Sequence, residues 1–373
     1  MIIDEARFRP WMEALRRHVT PDSVVLDIGC GAGILSLLAC QFGARRVFAV
    51  EPDASIEVAK LCSSNNPGAH RIEWIRDLST EIQLPEPADI VVGDLHGTMP
   101  FHAENIASMV DARKRHLKPG GQLLPKRDLL YAAPASAPME TKNLETPWRC
   151  NKIGLDLTAA LPHVVNTWWR AKPQRVSADQ LLGTPAHWGT VDYTGDAIRS
   201  LDGELDWTIE HDGRVDGLYV WFDGVVDDDL GFSNSPLNPE LVYGRAFFPL
   251  ISPITVVSGD TMSTKLAVRR MQDDWIYRWD TTITSAMGQE KASFRQSTFQ
   301  MMPGQMDALR KSESRYLPTL TEDGQIERAI LEQMDGTHAL ADIATDVMQR
   351  FPAKFPNFDQ TLATVAKLSR RHG

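Results

Sequence analysis

VVLDIGCGAGILSLLACQFGARRVFAVE, residues 24–51, is the stretch whose reading decides the fold. An apolar, β-branched run over 24–28 carries Asp27 near its end, and glycines follow at Gly29, Gly31 and Gly33. A helical stretch comes next, then a second apolar run over 47–50 that leads into Glu51. Strand, glycine turn, helix, strand and acid, in that order, make half of a nucleotide-binding α/β sheet. The glycines have a mechanical reason: without a Cβ the turn takes φ > 0, and a ligand approaches the backbone closely. The helix behind them points its N-terminus at that ligand. Glu51 closes the second strand, where a carboxylate accepts both hydroxyls of a ribose.

Asp27 decides between nucleotides. In a nicotinamide site the glycine turn cradles a pyrophosphate, and a carboxylate just ahead of the turn would repel it. The same carboxylate suits the amino group of a methionine moiety. D-x-G-x-G-x-G, from Asp27 to Gly33, resembles motif I of the class I methyltransferases, which bind S-adenosylmethionine.

A length of 373 residues allows two or three domains. The formal net charge of −10 argues against broad nucleic-acid binding, which needs a basic footprint, and suits a cationic peptide or protein substrate. Four cysteines (Cys30, Cys40, Cys62, Cys150) show no paired metal spacing, so no metal is expected and a reducing, cytoplasmic setting is the default. The opening MIIDEARFRP lacks the apolar core of a signal peptide, and no apolar run is long enough to span a bilayer.

Residues 4–18 read as an amphipathic helix with Phe8, Trp11, Met12 and Leu15 on one face. Arg7 falls on the other side, within reach of a cofactor carboxylate. After Glu51 come a helix over 55–64 and a short strand over 71–75. The following segment lies where an adenine would sit, and Ser79 or Thr80 can bond its exocyclic amine. A fourth strand over 89–94 ends in Asp94; a helix over 101–116, a Lys-Pro-Gly-Gly turn and a strand over 122–124 follow. This alternation implies a mainly parallel sheet covered on both faces.

Near Pro125 the texture changes to short, alternating, aromatic runs: 129–133, 205–209, 217–222, 254–257, 265–268 and 275–279. They predict an antiparallel β-domain. Between its first strands residues 154–174 look helical and present Val164, Val165, Trp168 and Trp169, which suggests an interface, with burial in their own domain as the alternative. From residue 305 three short helices are expected. Ile326, Ala329, Ile330 and Met334 are inward on the first, and Leu340, Ile343, Ala344 and Val347 on the second, which Thr337 can cap. Leu362, Val365 and Leu368 are inward on the third, which starts at Asn357 or Asp359.

Over roughly the first 300 residues the chain resembles the protein arginine methyltransferases. The similar segments are Met1-Ile-Ile-Asp4 with Arg7, LKPGG with LLPKRDLLYAA, GLDL at 154–157, VDGLYVWFD at 215–223, SNSP at 233–236, AFFPL at 246–250 and ITVVSGD at 254–260. The resemblance implies that Arg7 binds the cofactor carboxylate. It implies a helical dimerisation arm at about 154–175, and hence a homodimer. The expected fold is therefore α/β. It comprises a Rossmann-like S-adenosylmethionine-binding sheet over 1–126, an antiparallel β-barrel-like domain with its arm over 127–304, and a small helical, winged-helix-like module over 305–373.

The departures from that family fall on the acceptor side. The family clamps the substrate guanidinium between two glutamates on the loop after strand four, since a planar fork with a very high pKa is positioned by paired carboxylates. Here the first position is Asp94, and the second falls on Ala103 with Glu104 beside it. Aspartate is shorter by one C–C bond, and a misplacement of roughly 1 Å costs about a hundredfold in rate. The family's Thr-His-Trp loop reads Leu241-Val242-Tyr243, and a glutamine near its end becomes Arg245. New polar groups stand at His96, a candidate general base, and at His102.

Asp94, Glu104 and His96 are the expected catalytic residues, Asp94 also an expected cofactor contact, and His102, Tyr243 and Arg245 the expected substrate contacts. Arginine is the leading acceptor. A histidine, carboxylate or amine is the alternative, with Arg245 neutralising an anionic acceptor, and a cofactor-binding regulator without turnover is a third reading. The end of the chain (Glu-Gln-Met-Asp-Gly-Thr, Ala341-Asp-Ile-Ala, Arg350-Phe351) resembles PqqD-like modules. That resemblance implies a precursor peptide whose leader is gripped by residues 326–370.

Overall fold

The computed structural model describes every residue except 1–3, 103, 151, 172–177, 272–273, 302–310, 312–313 and 373. The chain divides into two compact units, Met1–Pro303 and Gly304–Gly373.

In the first unit, β1 (Val24–Ile28), β2 (Arg46–Val50), β3 (Ile72–Ile75), β4 (Ala88–Val92) and β5 (Leu117–Leu124) form a parallel sheet in the order β3-β2-β1-β4-β5. All five residues of β1 are buried, as a strand covered on both faces requires. The order reverses at β1, so a crevice opens beyond the C-terminal ends of β1 and β4. The helices α1 (Glu5–His18), α2 (Ile34–Gln41), α3 (Ser55–Ser63) and α4 (Asn105–His116) connect or flank these strands.

The N-terminal helix differs from its sequence reading in one respect. Trp11, Ala14 and Leu15 are fully buried, and complete burial of a large apolar side chain contributes about 1.5–3 kcal/mol. Arg7 lies one helical turn before Trp11, on the same face, and is only 3% exposed. Arg7 therefore points inward rather than to the far side. Asp4 caps the helix by accepting the Arg7 N–H at 3.3 Å, and its other oxygen accepts the Val242 N–H at 2.7 Å.

The remaining strands pair antiparallel. One sheet runs β7-β12-β10-β6-β8, with β11 beside β10: β6 is Arg127–Ala135, β7 Trp169–Arg170, β8 Ala186–Asp192, β10 Gly213–Asp227, β11 Leu230–Ser233 and β12 Ala246–Val256. The other runs β15-β14-β13-β9, from Glu290–Ser297, Asp274–Thr284, Thr261–Met271 and Ser200–Thr208. β9 lies against β8 and β15 against β12, so the two sheets meet along two edges. One continuous apolar core runs from Leu26 and Val91 of the parallel sheet to Phe222 and Trp279 of the antiparallel ones.

The helical insert begins earlier than the sequence suggested. α5 (Pro138–Arg149) precedes the short α6 (Leu161–Val164), while Trp169 and Arg170 are a strand. Val164 and Val165 are 7% and 6% exposed, and Trp168 stacks on Phe248, so these three pack into their own core instead of presenting an interface. Trp169 stays exposed, with Met139, Ile153 and Leu155. Residues 172–175 of the expected arm lie outside the described residues.

The second unit holds helices Glu322–Leu331, Leu340–Arg350 and Phe358–His372 around Ile326, Ile330, Ile343, Ala344, Val347, Val365 and Leu368. Thr321 caps the first, accepting the Gly324 N–H at 3.2 Å, and Asn357 accepts the Gln360 N–H at 3.0 Å at the start of the last. Thr337 does not cap the middle helix; its hydroxyl and N–H both donate to Asp335, closing the turn between helices. Leu340 is 38% exposed rather than inward. Among the described residues this unit has no strand.

Candidate active site

The turn after β1 takes the left-handed backbone expected of its glycines: φ is +64° at Gly29, +52° at Gly31 and +75° at Gly33. A Cβ on Gly29 would stand 2.2 Å from a Leu95 methyl, and one on Gly33 2.6 Å from the Trp74 ring. A Cβ on Gly31 would meet nothing within 4 Å, so that side of its backbone is open to a ligand. Glu51, just beyond β2, ties the turn down. It accepts the Gly31 N–H at 3.0 Å on one oxygen and the Asp53 N–H at 2.9 Å on the other.

Asp27 is 1% exposed and accepts the Ser36 hydroxyl at 2.6 Å, so its visible contact is with the first turn of α2. Burial pushes its carboxyl up to about 7 against the hydrogen bonds from Ser36, and the nearby charges of Asp94 and Glu51 add to the rise. Three carboxylates thus surround the glycine turn. That set repels a pyrophosphate and attracts a ligand carrying positive charge. An S-adenosylmethionine, with its ammonium and sulfonium groups, fits it. Ser79 and Thr80 lie on the loop after β3; Ser79 contributes its carbonyl to Arg115 at 2.7 Å, and Thr80 is exposed.

Asp94 follows β4 and is the centre of a buried ionic cluster. One oxygen, Oδ2, contacts Arg7 Nη1. The other, Oδ1, accepts the Tyr243 hydroxyl at 2.5 Å and lies 3.0 Å from His96 Nδ1. The His96 Nε2 sits 3.1 Å from both oxygens of Asp128. Asp128 accepts the Tyr193 hydroxyl at 2.6 Å, and Asn105 reaches that hydroxyl at 3.4 Å. Burial alone would raise the Asp94 carboxyl; the hydrogen bond and charge of His96, with Arg7 and Tyr243, outweigh it and hold the group below the usual carboxylate range.

The same geometry corrects the expected role of His96. Burial disfavours its charge, but Asp128 and Asp94 outweigh burial and push the imidazole up to about 10. An imidazolium with a carboxylate at each nitrogen has no lone pair for an acceptor's proton, so His96 is not a general base. Tyr243, expected as a substrate contact, joins the cluster by donating its hydroxyl to Asp94. Arg245 does not: it is 3% exposed, donates to the Pro236 carbonyl at 2.9 Å, and its charge acts on Tyr219 and Glu140 beneath the helical insert. It is therefore no partner for an anionic acceptor beside Asp94.

Glu104 is 54% exposed at its side chain and pairs with Arg270 of β13. Among the described residues no hydrogen bond joins Glu104 to Asp94, so the loop does not bring the two carboxylates into one clamp here. Ala103 lies outside the described residues, and His102 is exposed. Asp128 and Tyr193 were not singled out from the sequence. The available signal was a carboxylate set in the apolar run of β6. Among the described residues no group of three or more His, Cys, Asp or Glu is arranged to hold a metal ion, and no helix is long and apolar enough to cross a membrane.

In sequence and fold the chain is similar to known proteins. The profile of the family described as ribosomal protein L11 methyltransferase (PrmA) matches residues 11–125. A probable histone-arginine methyltransferase CARM1 of Oryza sativa subsp. indica is 31% identical over 254 residues, 65% of this chain and 48% of the relative. A probable protein arginine N-methyltransferase 6 of Arabidopsis thaliana is 34% identical over 229 residues, 60% of this chain and 52% of the relative. The protein arginine N-methyltransferase 6 of Danio rerio is 28% identical over 261 residues, 66% of this chain and 73% of the relative. The chain spans about half the length of the first two relatives.

Among solved structures, Arabidopsis thaliana protein arginine methyltransferase 10 superposes with a TM-score of 0.68 at 22% identity, over 80% of this chain and 95% of that one. The Trypanosoma brucei PRMT1 enzyme-prozyme heterotetrameric complex with AdoHcy gives 0.70 at 20% identity, with the same coverage. The parallel sheet followed by antiparallel sheets is thus a fold shared with such structures.

Proposed function

We propose that this chain is an S-adenosylmethionine-dependent methyltransferase of the protein arginine methyltransferase type, acting on a side chain of a peptide or protein and releasing S-adenosylhomocysteine. The observation that carries this reading is the trio Asp27, Glu51 and Asp94 around a glycine turn open to a ligand at Gly31. Arginine is the acceptor the relatives favour, and a buried, ionised Asp94 suits a guanidinium.

Bound at the turn, S-adenosylmethionine supplies an electrophilic methyl group. The chain's own residues do the rest. Glu51 receives the ribose hydroxyls on the lone pairs its two backbone partners leave, since a carboxylate has about four acceptor positions. Arg7, which faces Asp94, would hold the methionine carboxylate. Gly29, Gly31 and Gly33 let the backbone approach the ligand, Asp27 offers charge to its ammonium, and Ser79 or Thr80 meets the adenine. Asp94 would then hold an acceptor N–H and align its nitrogen, and the proton that nitrogen loses on methylation would pass to water.

A second reading keeps the reaction and changes the acceptor. Glu104 engages Arg270, which leaves one carboxylate where a fork-shaped guanidinium favours two. A histidine or amine needs one. Tandem mass spectrometry of arginine-rich proteins and leader-bearing peptides incubated with S-adenosylmethionine separates the two: we expect the added methyl on arginine, and a methyl found only on another residue type overturns that assignment.

The exposed Met139, Ile153, Leu155 and Trp169 support reading the helical insert as the contact arm of a homodimer. The working place is the cytoplasm, in keeping with four free cysteines. The C-terminal helices are read as the helical part of a PqqD-like module that holds the substrate's leader. Removing residues 304–373 is then expected to raise KM for a leader-bearing peptide about tenfold, the effect of losing about 1.4 kcal/mol of remote binding, with kcat nearly unchanged. Equal KM values for the two forms would reduce the module to a structural appendage.

A further inference from the structure

His96 is two residues past Asp94, yet its side chain is 1% exposed. The ring stacks on Phe222 at 5.2 Å and 14°, and Phe232 and Tyr243 present their edges to it. Trp11 of α1 closes the remaining side at 6.3 Å. The ring therefore has one orientation, and both nitrogens face carboxylates: Nδ1 meets Asp94 and Nε2 meets Asp128. Only an imidazolium donates in both directions; a neutral ring would aim a lone pair at one of two anions. The titratable groups around it are Asp94 on its own loop, Asp128 of β6 and Tyr243 on the loop before β12, with Arg7 and Tyr193 one contact further out.

We infer that His96 and Asp128 are a positioning pair for the acceptor carboxylate. They fix Oδ1 of Asp94 and reserve Oδ2 for the acceptor. The inference rests on the reading of Asp94 as the acceptor-binding group. Its geometry is specific. Tyr243 and His96 both act on Oδ1, so the carboxylate does not swing about its short side chain. Oδ2 is the oxygen that Arg7 now occupies. Asp128 takes no part in acceptor contact; it holds the ring at the right angle and balances its charge, and Tyr193 holds Asp128 in turn. Arg7, Asp94, His96 and Asp128 together are neutral, which makes a buried ionic chain tolerable.

The pH dependence follows from signs. His96 is raised from 6.5 to about 10, so its contribution is complete below about pH 6.5 and is lost as pH climbs toward about 10. Asp94 is depressed, so its contribution holds above the ordinary aspartate range and is lost as pH falls through the lowered value.

The test uses the full chain and the double substitution His96→Gln with Asp128→Asn, which removes one charge of each sign and leaves neither buried alone. Expected are an unchanged Kd for S-adenosylhomocysteine, a kcat lower by about a hundredfold, and an acid limb of the kcat profile moved to higher pH as Asp94 loses its cation. In the wild type, 13C-labelled histidine should show His96 still as imidazolium well above pH 6.5. A His96 signal that titrates near 6.5 overturns the pair, as does a drop in kcat with the acid limb unmoved, or no drop at all. If the double variant does not fold, Tyr193→Phe removes only the hydroxyl that orients Asp128, and the same shift of the limb is expected at smaller size. A wild type that binds S-adenosylhomocysteine but methylates nothing sinks the reading beneath the pair; a working wild type with an indifferent variant sinks the pair alone.

Discussion

Asp94→Ala is expected to lower kcat by about 10²–10³, the usual cost of removing one preorganised charged group from a reacting centre. The structure adds a second effect. Asp94 is the partner of Arg7 and His96, both buried, and breaking a buried pair from one side costs about 3–5 kcal/mol. Urea unfolding of the variant should therefore show a clear loss of stability beside the loss of turnover. Asp94→Asn keeps the shape and an acceptor for Tyr243 but removes the charge, so it should lose turnover with a smaller loss of stability than Asp94→Ala. Affinity for S-adenosylhomocysteine should change far less than turnover, because Arg7 is released toward the ligand rather than lost. A variant that loses only cofactor affinity and keeps its turnover at saturation would remove Asp94 from the acceptor side.

Glu51→Ala is the second large effect, and it falls on the cofactor. Glu51 accepts the N–H groups of Gly31 and Asp53 and, in the proposed function, the ribose hydroxyls. Hydrogen bonds to a charged group contribute about 1.5–3 kcal/mol, so the Kd for S-adenosylhomocysteine should weaken by about 10–100-fold. Calorimetry measures this directly. An unaltered Kd places the ribose elsewhere. Glu51→Gln keeps one good acceptor and should fall between the two.

The parallel sheet was legible because its central strands are buried on both faces and so appear as unbroken apolar runs; VVLDI is buried throughout. The C-terminal helices were legible through their apolar spacing and one cap, Asn357, while the Thr321 cap was not singled out and Thr337 closes a turn instead. α5 was missed because no residue in PMETKNLETPWR is buried, so it carries no stripe. β15, EKASFRQS, was missed because an edge strand with one buried residue reads as a polar loop.

The candidate site divides in the same way. Glycines, Asp27 and Glu51 lie within one local unit, and local spacing reports on them. Arg7 was assigned the wrong face because a lone arginine on a helix is normally solvated, and its burial depends on Asp94, 87 residues away. His96 looked like a base because its loop faces the reacting group. Its second carboxylate, Asp128, comes from a strand 32 residues further on, and Tyr193 from 65 residues beyond that. No periodicity links such residues; only the packing of the antiparallel sheet on the parallel one does.

The shared core has a consequence for how such a chain is inherited. A cut near residue 126 passes between two sheets that use one apolar interior, so neither half would keep its buried face covered. The boundary at Pro303–Gly304 separates two interiors, each complete in itself. Recombination that joined or exchanged whole segments at that boundary would leave both apolar interiors covered, so the two units are free to be inherited separately.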